Sequence, residues 1–351
     1  MKIFIDCRML GSGGIGTYLE SLLPYFTGSY QCILLINNKQ KAFLPELKGN
    51  PELIESDIKT FSIKELFLFP KELKKIINSC DLYYTPYCNI PSGIRVPVFS
   101  TVHDIVFLDV PDLASKTGVI IRKFFYQRAI NRSRVIFTVS NFSADRIKAK
   151  LKIKNKPLIV TYNAVPEHFS KAAESTQQKD NSIIYVGNIK KHKGLTCLLE
   201  AFEICRNKGL DCRLVIIGNA ENFRSSDSKI TQFISNASEK GIIFSGRISD
   251  AELQTYYQKA RLLVQPSLYE GFGMPPLEAL SLGTGVIISD IPVFKEIYQG
   301  FPVTYFKSQD SSDLADKIMQ NFDKPSPAAI PDKYSFEKTA EIIFNTFRST
   351  L

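Results

Sequence analysis

The chain of 351 residues predicts an α/β fold of two doubly wound domains. Three observations predict it. Short runs rich in Ile, Val, Leu and Phe recur along the chain, as strands buried on both faces of a parallel sheet require. Segments with helical patterning or helix-capping residues lie between them. A polar, unpatterned stretch over residues 166–182 divides this alternation in two and reads as an interdomain linker.

In the first half, Ile3–Ile5 is a short apolar strand and Thr17–Phe26 a helical pattern. Between them, Gly11, Gly13 and Gly16 spell Gly-x-Gly-x-x-Gly, with Gly14 inside the run. This is a weak dinucleotide fingerprint. Asp6 to Leu10 separate the strand from the first glycine, and the next strand, Cys32–Ile36, ends in Asn37-Asn38 where an acid would hold a ribose. No Gly-Lys-Ser/Thr follows, so it is not a P-loop. Phe61–Asn78 reads as one basic helix and Asp81–Thr85 as a strand, with loops at Pro86, Pro91 and Pro97. Val98–Val102 is a buried-type strand ending at His103-Asp104, and ligands of α/β sheets bind at such strand ends. Asp109 and Asp112 flank Pro111 in the loop beyond and could touch a substrate. Gly118–Arg134 mixes Ile120, Ile121, Phe124 and Phe125 with Arg122, Lys123 and Arg128. Two readings stand: it lies in a lipid headgroup layer, or it packs its apolar face on its own sheet. Val135–Val139 and Leu158–Thr161 are strands, and Ser140-Asn141-Phe142-Ser143 opens a capped helix between them.

In the second half, Ser182–Gly187 is a strand, Asn188–Gly194 a basic loop with Lys190, Lys191, His192 and Lys193, and Leu195–Cys205 a helix. Basic groups at a helix N-terminus suit a diphosphate. Cys212–Ile217 and Ile242–Ser245 are strands, and Gly246-Arg247 follows the second. The strand Leu262–Pro266 then delivers the densest stretch, Ser267 to Gly283. Here Glu270 and Glu278 flank a turn of glycines and prolines that opens a helix, with Glu278 expected in its first turn. Such a turn, a helix start and two separated carboxylates suit a phosphorylated, hydroxyl-rich ligand. Another turn and strand follow at Gly283–Ile288, and Ser335–Phe347 is a final helix.

The composition is that of an ordinary globular chain, 44% apolar and 23% charged. The first residues read as a strand rather than a signal peptide, and no run reaches the length of a membrane span. Seven scattered cysteines, with no Cys-x-x-Cys, point to reduced thiols and no zinc site, and the three histidines have no metal-ligand spacing. The net charge of +9 is lopsided: residues 1–165 carry 23 Lys and Arg against 13 Asp and Glu. That field suits an anionic membrane surface or a diphosphate-bearing substrate, and no nucleic-acid motif accompanies it.

Glu270-Gly-Phe-Gly-Met-Pro-Pro-Leu-Glu278 resembles the glutamate–seven–glutamate motif of retaining glycosyltransferases with the GT-B fold, more narrowly those of the group-1 (family 4) type. Pro266-Ser-Leu-Tyr before it and Ala-Leu-Ser-Leu-Gly283 after it extend the likeness, as do Thr138-Val-Ser-Asn-Phe-Ser143 and Gly246–Leu253. The resemblance implies two Rossmann-like domains facing across a cleft. Residues 1–165 would bind the acceptor, 166–334 the nucleotide sugar, and 335–351 would cross back to the first domain. It assigns Glu270, His103 and Asp104 to the transferred sugar and the catalytic centre. It assigns Gly14, Asn188, His192, Lys193, Arg247, Gly271, Phe272, Gly273, Met274 and Glu278 to the donor, Glu278 on the ribose. His192 stands where the family has arginine, and Gly285 where it usually has proline. Arg122, Lys123 and Arg128 would face the acceptor or a membrane. The implied reaction is metal-independent, retaining hexosyl transfer with no cofactor beyond the donor. The run Thr101–Pro111 is similar to mannosyl- and rhamnosyltransferases of surface polysaccharide assembly. That implies GDP-mannose as donor, a glycan or polyprenyl-diphosphate-linked acceptor, and a cytoplasmic protein peripheral to the membrane. A sugar-nucleotide epimerase of the same shape, a silent glycan-binding partner subunit and a nicotinamide oxidoreductase, against which the missing ribose-binding acid argues, are the alternatives.

Overall fold

The computed structural model describes residues 1–170, 178–218, 240–326 and 333–351. These form two compact units: Met1–Ala164 with Tyr334–Leu351, and Val165–Lys333.

The first unit is built on a seven-stranded sheet. Its strands are β1 (Lys2–Asp6), β2 (Gln31–Ile36), β3 (Glu52–Glu55), β4 (Leu82–Thr85), β5 (Val98–Thr101), β6 (Val135–Thr138) and β7 (Leu158–Val160). Their order is β3-β2-β1-β4-β5-β6-β7, all parallel, so the winding reverses between β1 and β4. β1, β4, β5 and β6 are almost wholly buried, because helices cover both faces of a doubly wound sheet. The helix Phe336–Thr350, capped by Ser335, completes this core: Phe347 packs its ring on Phe99, Phe137 and Tyr84.

Three elements differ from the sequence expectation. The first long helix begins at Gly13 rather than Thr17, so Gly14 and Gly16 lie inside it. Gly16 is needed there: a Cβ would stand 2.8 Å from the Gly11 nitrogen. The expected helix Phe61–Asn78 is two short ones, Ile63–Phe67 and Lys71–Ile77. Pro70 separates them, since it lacks the N–H and disfavours helix in the residue before it. β3 had no apolar run to reveal it; it is a short edge strand, Glu-Leu-Ile-Glu, with charges that suit an edge.

Beneath the first unit's strand ends lies a charged cluster that pattern reading missed. Arg8 is almost fully buried, and Asp6 and Glu65 are completely so. The Arg8 guanidinium donates to Asp6 at 2.5 and 2.9 Å, to Glu65 at 2.6 Å and to the Tyr87 hydroxyl at 2.8 Å. Tyr83 donates to Asp6 at 2.9 Å, and Asn89 donates to the other Glu65 oxygen. Burial raises the Glu65 carboxyl and Arg8 opposes that rise.

The second unit carries a six-stranded sheet: β8 (Ser182–Val186), β9 (Arg213–Ile217), β10 (Ile242–Gly246), β11 (Leu262–Gln265), β12 (Gly285–Ser289) and β13 (Val303–Phe306). The order is β10-β9-β8-β11-β12-β13, again parallel, with the reversal between β8 and β11. Leu198 and Phe202 of the helix Leu195–Asn207 meet Leu214, Val264, Ile287 and Leu314 in its core. The stretch expected to be a linker contains a short helix, Glu167–Ser170, and residues 171–177 of it lie outside the described residues.

Candidate functional site

In the second unit, the basic loop and the stretch bearing Glu270 and Glu278 leave from adjacent strands, β8 and β11, at the point where the winding reverses. Open α/β sheets bind their ligands at such a point, beyond the C-terminal strand ends. The two segments are clasped together. The Leu268 N–H donates to the His192 carbonyl at 2.8 Å. Gly194 has φ +68°, and a Cβ there would stand 1.9 Å from the Pro266 carbonyl oxygen, so glycine is required by conformation and by space.

This clasp brings Lys193 and Glu270 together. Lys193 Nζ donates to Glu270 Oε1 at 2.6 Å and Oε2 at 2.7 Å, with both side chains mostly buried. Ser267 donates to the same carboxylate at 2.8 Å and itself accepts from Gln265 at 3.1 Å. Both Glu270 oxygens are thus oriented, and the carboxylate has its counter-ion. Neither Ser267 nor Gln265 stood out in the sequence, although Ser267 lies in the Pro266-Ser-Leu-Tyr run three residues before Glu270.

His192 sits in the same loop but carries no charge near neutral pH. It is buried, and burial followed by the charges of Lys193 and Lys190 pushes its imidazole down to about 4, against the pull of Glu270. It therefore replaces the family's arginine without replacing its cation. Its Nδ1 and the Gln265 Oε1 are buried with no hydrogen-bond partner among the described residues. Asn188 is exposed and its carbonyl accepts from Tyr185 at 3.1 Å. Arg247 is exposed just past the bulged end of β10.

Gly273, at φ +86°, caps the helix Met274–Ser281, and a Cβ on it would meet the Phe294 ring at 2.5 Å. Gly271, Phe272 and Met274 beside it are buried. Glu278 falls at the start of the second turn of this helix, one residue further in than expected, because the helix starts at Met274, just before the two prolines, rather than on them. It is buried and accepts from the Tyr257 hydroxyl at 2.7 Å. Burial raises its carboxyl to about 7; the Tyr257 hydrogen bond opposes this and Asp250 adds to it. An acid whose folded value lies above its ordinary 4.5 stabilises fully below 4.5 and loses that contribution as pH rises through about 7. The wild type should therefore gain stability relative to Glu278→Gln as pH falls from about 8 to about 5. Denaturant midpoints of both proteins against pH check this, since other groups titrate alike in the two; a flat difference refutes it.

In the first unit, His103 follows β5 and lies edge-on to Tyr18, ring centroids 4.9 Å apart. Burial pushes its imidazole down to about 4, against a hydrogen bond to the Pro86 backbone, and its Nε2 is buried without a partner among the described residues. It is a neutral group. Asp104 accepts from the Val106 N–H at 3.0 Å, so it also serves the short helix Val106–Asp109. Gly14 is exposed in the first turn of its helix. Asp109, which could have touched a substrate, instead has a buried carboxylate held by Arg146 through both oxygens at 2.9 and 2.6 Å.

The basic helix Lys116–Arg132 answers neither expectation fully. It buries Ala129 and Ile130 near its C-terminal end and leaves Ile120, Ile121 and Phe124 exposed. Arg122 lies over the Phe107 ring at 4.2 Å, and Arg128 donates to the Ile90 carbonyl and Ser92, so both arginines brace the protein while Lys123 is exposed. Among the described residues no three His, Cys, Asp or Glu side chains gather as a metal-ligand set, and no helix is long and apolar enough to cross a membrane.

Residues 12–169 match the family model Glycosyltransferase Family 4, and residues 167–338 match Glycosyl transferases group 1. An O-antigen chain mannosyltransferase, RfbU, of Salmonella typhimurium is 30% identical over 198 residues, which is 56% of this chain and 53% of the relative. O-antigen chain mannosyltransferase B of Escherichia coli is 25% identical over 229 residues, 62% of this chain and 58% of the relative. The matches thus span little more than half the length of these relatives. Among solved structures, a glycosyltransferase from Rickettsia africae superposes with a TM-score of 0.73 at 16% identity, over 99% of this chain and 98% of its own. Anabaena HepE, solved with UDP and glucose, gives 0.69 at 16% identity over 99% and 100%. These likenesses show the fold.

Proposed function

The chain belongs to the family 4, group 1 glycosyltransferases, with their GT-B fold, and from that premise we propose that it moves a mannosyl residue from GDP-mannose to a hydroxyl of a lipid-linked oligosaccharide in surface polysaccharide assembly. The observation that carries this reading is the Lys193–Glu270 pair at the winding reversal of the second sheet. The mannosyltransferase names of the relatives support the sugar, and the basic first half supports an acceptor bearing a diphosphate.

In the proposed reaction the bond from the anomeric carbon to the donor diphosphate breaks, and a bond from that carbon to the acceptor oxygen forms on the same face. The acceptor proton passes to the leaving diphosphate. Lys193, with Arg247, stabilises the charge that develops on this group without a metal. Glu270 orients the sugar hydroxyls and faces the developing positive charge. Its engagement with Lys193 and Ser267 favours this over attack by Glu270 itself, which would need a free carboxylate oxygen. Glu278 accepts from the ribose hydroxyls, and neutral His103 contacts the sugar.

The test is a panel of nucleotide sugars incubated with the protein and membranes from its source. Labelled mannose entering lipid-linked glycan, with GDP released, is expected. Binding of UDP-sugars without GDP-mannose overturns the donor assignment, and a glycosyl adduct trapped on Glu270 overturns the same-face mechanism.

A further inference from the structure

In the short helix Ile63–Phe67 polarity is inverted: Glu65 points inward to Arg8 and is completely buried, while Ile63 is 71% and Phe67 57% exposed. Leu68, just after it, is 71% exposed. Leu66 is buried beside the acid, yet three large apolar side chains in and just after this one turn face out, which a solvated helix does not require. Phe61, the residue that leads in, holds φ +57° and packs its ring on Tyr87 of the buried cluster, so the turn is fixed rather than loose.

Helix Lys116–Arg132 is tied to this helix at Arg128, one turn beyond Phe124. Ser92 joins them: its N–H donates to the Leu66 carbonyl at 2.8 Å and its hydroxyl accepts from Arg128 at 2.9 Å. Ile120, Ile121 and Phe124 are each more than half exposed. Lys64 and Lys123 are exposed and neighbour these residues along the chain, and Lys71 and Lys116, also exposed, stand three and four residues beyond them. Glu72, close by, is paired with Lys75. Apolar side chains interspersed with lysines, in the half of the chain that carries 23 basic against 13 acidic residues, match an anionic bilayer interface.

We propose that Ile63, Phe67 and Leu68, together with Ile120, Ile121 and Phe124, form one surface that inserts into the headgroup layer of an anionic membrane, with Lys64 and Lys123 on the lipid phosphates. The surface rests on the lipid-linked acceptor reading for its purpose, since it would hold the first unit where such an acceptor is found. It differs from the sequence expectation in its residues: Arg122 and Arg128 brace the helix from within, and the helix Ile63–Phe67 supplies half of the contact.

The experiment is flotation of the full chain with vesicles of phosphatidylcholine alone or mixed with phosphatidylglycerol. The wild type should float with the mixed vesicles only, and less as salt rises. Phe67→Glu/Leu68→Glu and Ile120→Glu/Phe124→Glu should each lower the bound fraction by about tenfold or more, since each removes two inserted apolar groups. These sites are exposed, so circular dichroism and nucleotide-sugar binding should stay as in the wild type. No flotation of the wild type, equal flotation with both vesicle types, or either double variant floating as well as the wild type would overturn the surface. Flotation as expected with no turnover of any nucleotide sugar would instead sink the transferase reading and leave the surface standing.

Discussion

Replacing Lys193 by methionine lowers the rate of sugar transfer at saturating donor by about 10²–10³-fold. Lys193 holds Glu270 through both carboxylate oxygens in a site that is mostly closed to water, where an electrostatic partner acts more strongly than at an open surface. In the proposed transition state the diphosphate takes up negative charge as the sugar leaves, and Lys193 is the cation nearest in sequence to the helix start that would receive it. Methionine keeps the length and apolar stem, so packing is preserved while the charge is lost. The fall should lie mainly in kcat, because a charge that grows during reaction is bound more tightly in the transition state than in the ground state. Arginine should restore little, since its guanidinium is larger than the compact ammonium and the mostly closed site holds the latter. Steady-state kinetics with donor saturated measures this; a kcat within about threefold of the wild type would sink the role given to Lys193.

Arg8→Met should destabilise the first unit by about 3–5 kcal/mol, the largest effect expected on stability. Arg8 is the counter-ion of two buried carboxylates, and methionine leaves Asp6 and Glu65 without it. The loss should depend on pH. Burial already raises Glu65 and Arg8 restrains it, so without Arg8 its folded value climbs further. A raised acid stabilises below its ordinary value and loses that contribution as pH rises through the folded one, so the deficit is greatest near neutrality and shrinks in acid. Adding Asp6→Asn and Glu65→Gln to Arg8→Met should recover most of the loss, because removing all the charges removes the desolvation they impose. Denaturant unfolding with amide exchange in β1 separates the first unit from the second. A single variant as stable as the wild type would refute the argument.

The alternation of apolar runs and capped helices was legible because strands buried on both faces leave an uninterrupted apolar signature. Most strands of both sheets announced themselves in this way, and Ser140 and Ser335 cap their helices as their residue types require. Lys193 and Glu270 stood in segments recognisable by composition, and the structure brings these two together. β3 and the break at Pro70 were less legible, the first because an edge strand carries no apolar run. The neutral state of His192 and His103 was not legible at all. A pKa depends on how much water and charge surround the group, and neither is written in the residue's neighbours along the chain.

By itself, then, the sequence determined the fold class, the two halves and the segments that carry the candidate site, because local periodicity and turn chemistry act over a few residues. Only the tertiary structure decided which side chains share a buried space. Glu65 turned inward to Arg8 from a position 57 residues away, Tyr257 reached Glu278 across 21, and Phe67 and Leu68 were left outside as a consequence of the first choice. Pairing at such separations is selected by the desolvation of charge against the gain of a partner, and that balance exists only once the chain has closed around it.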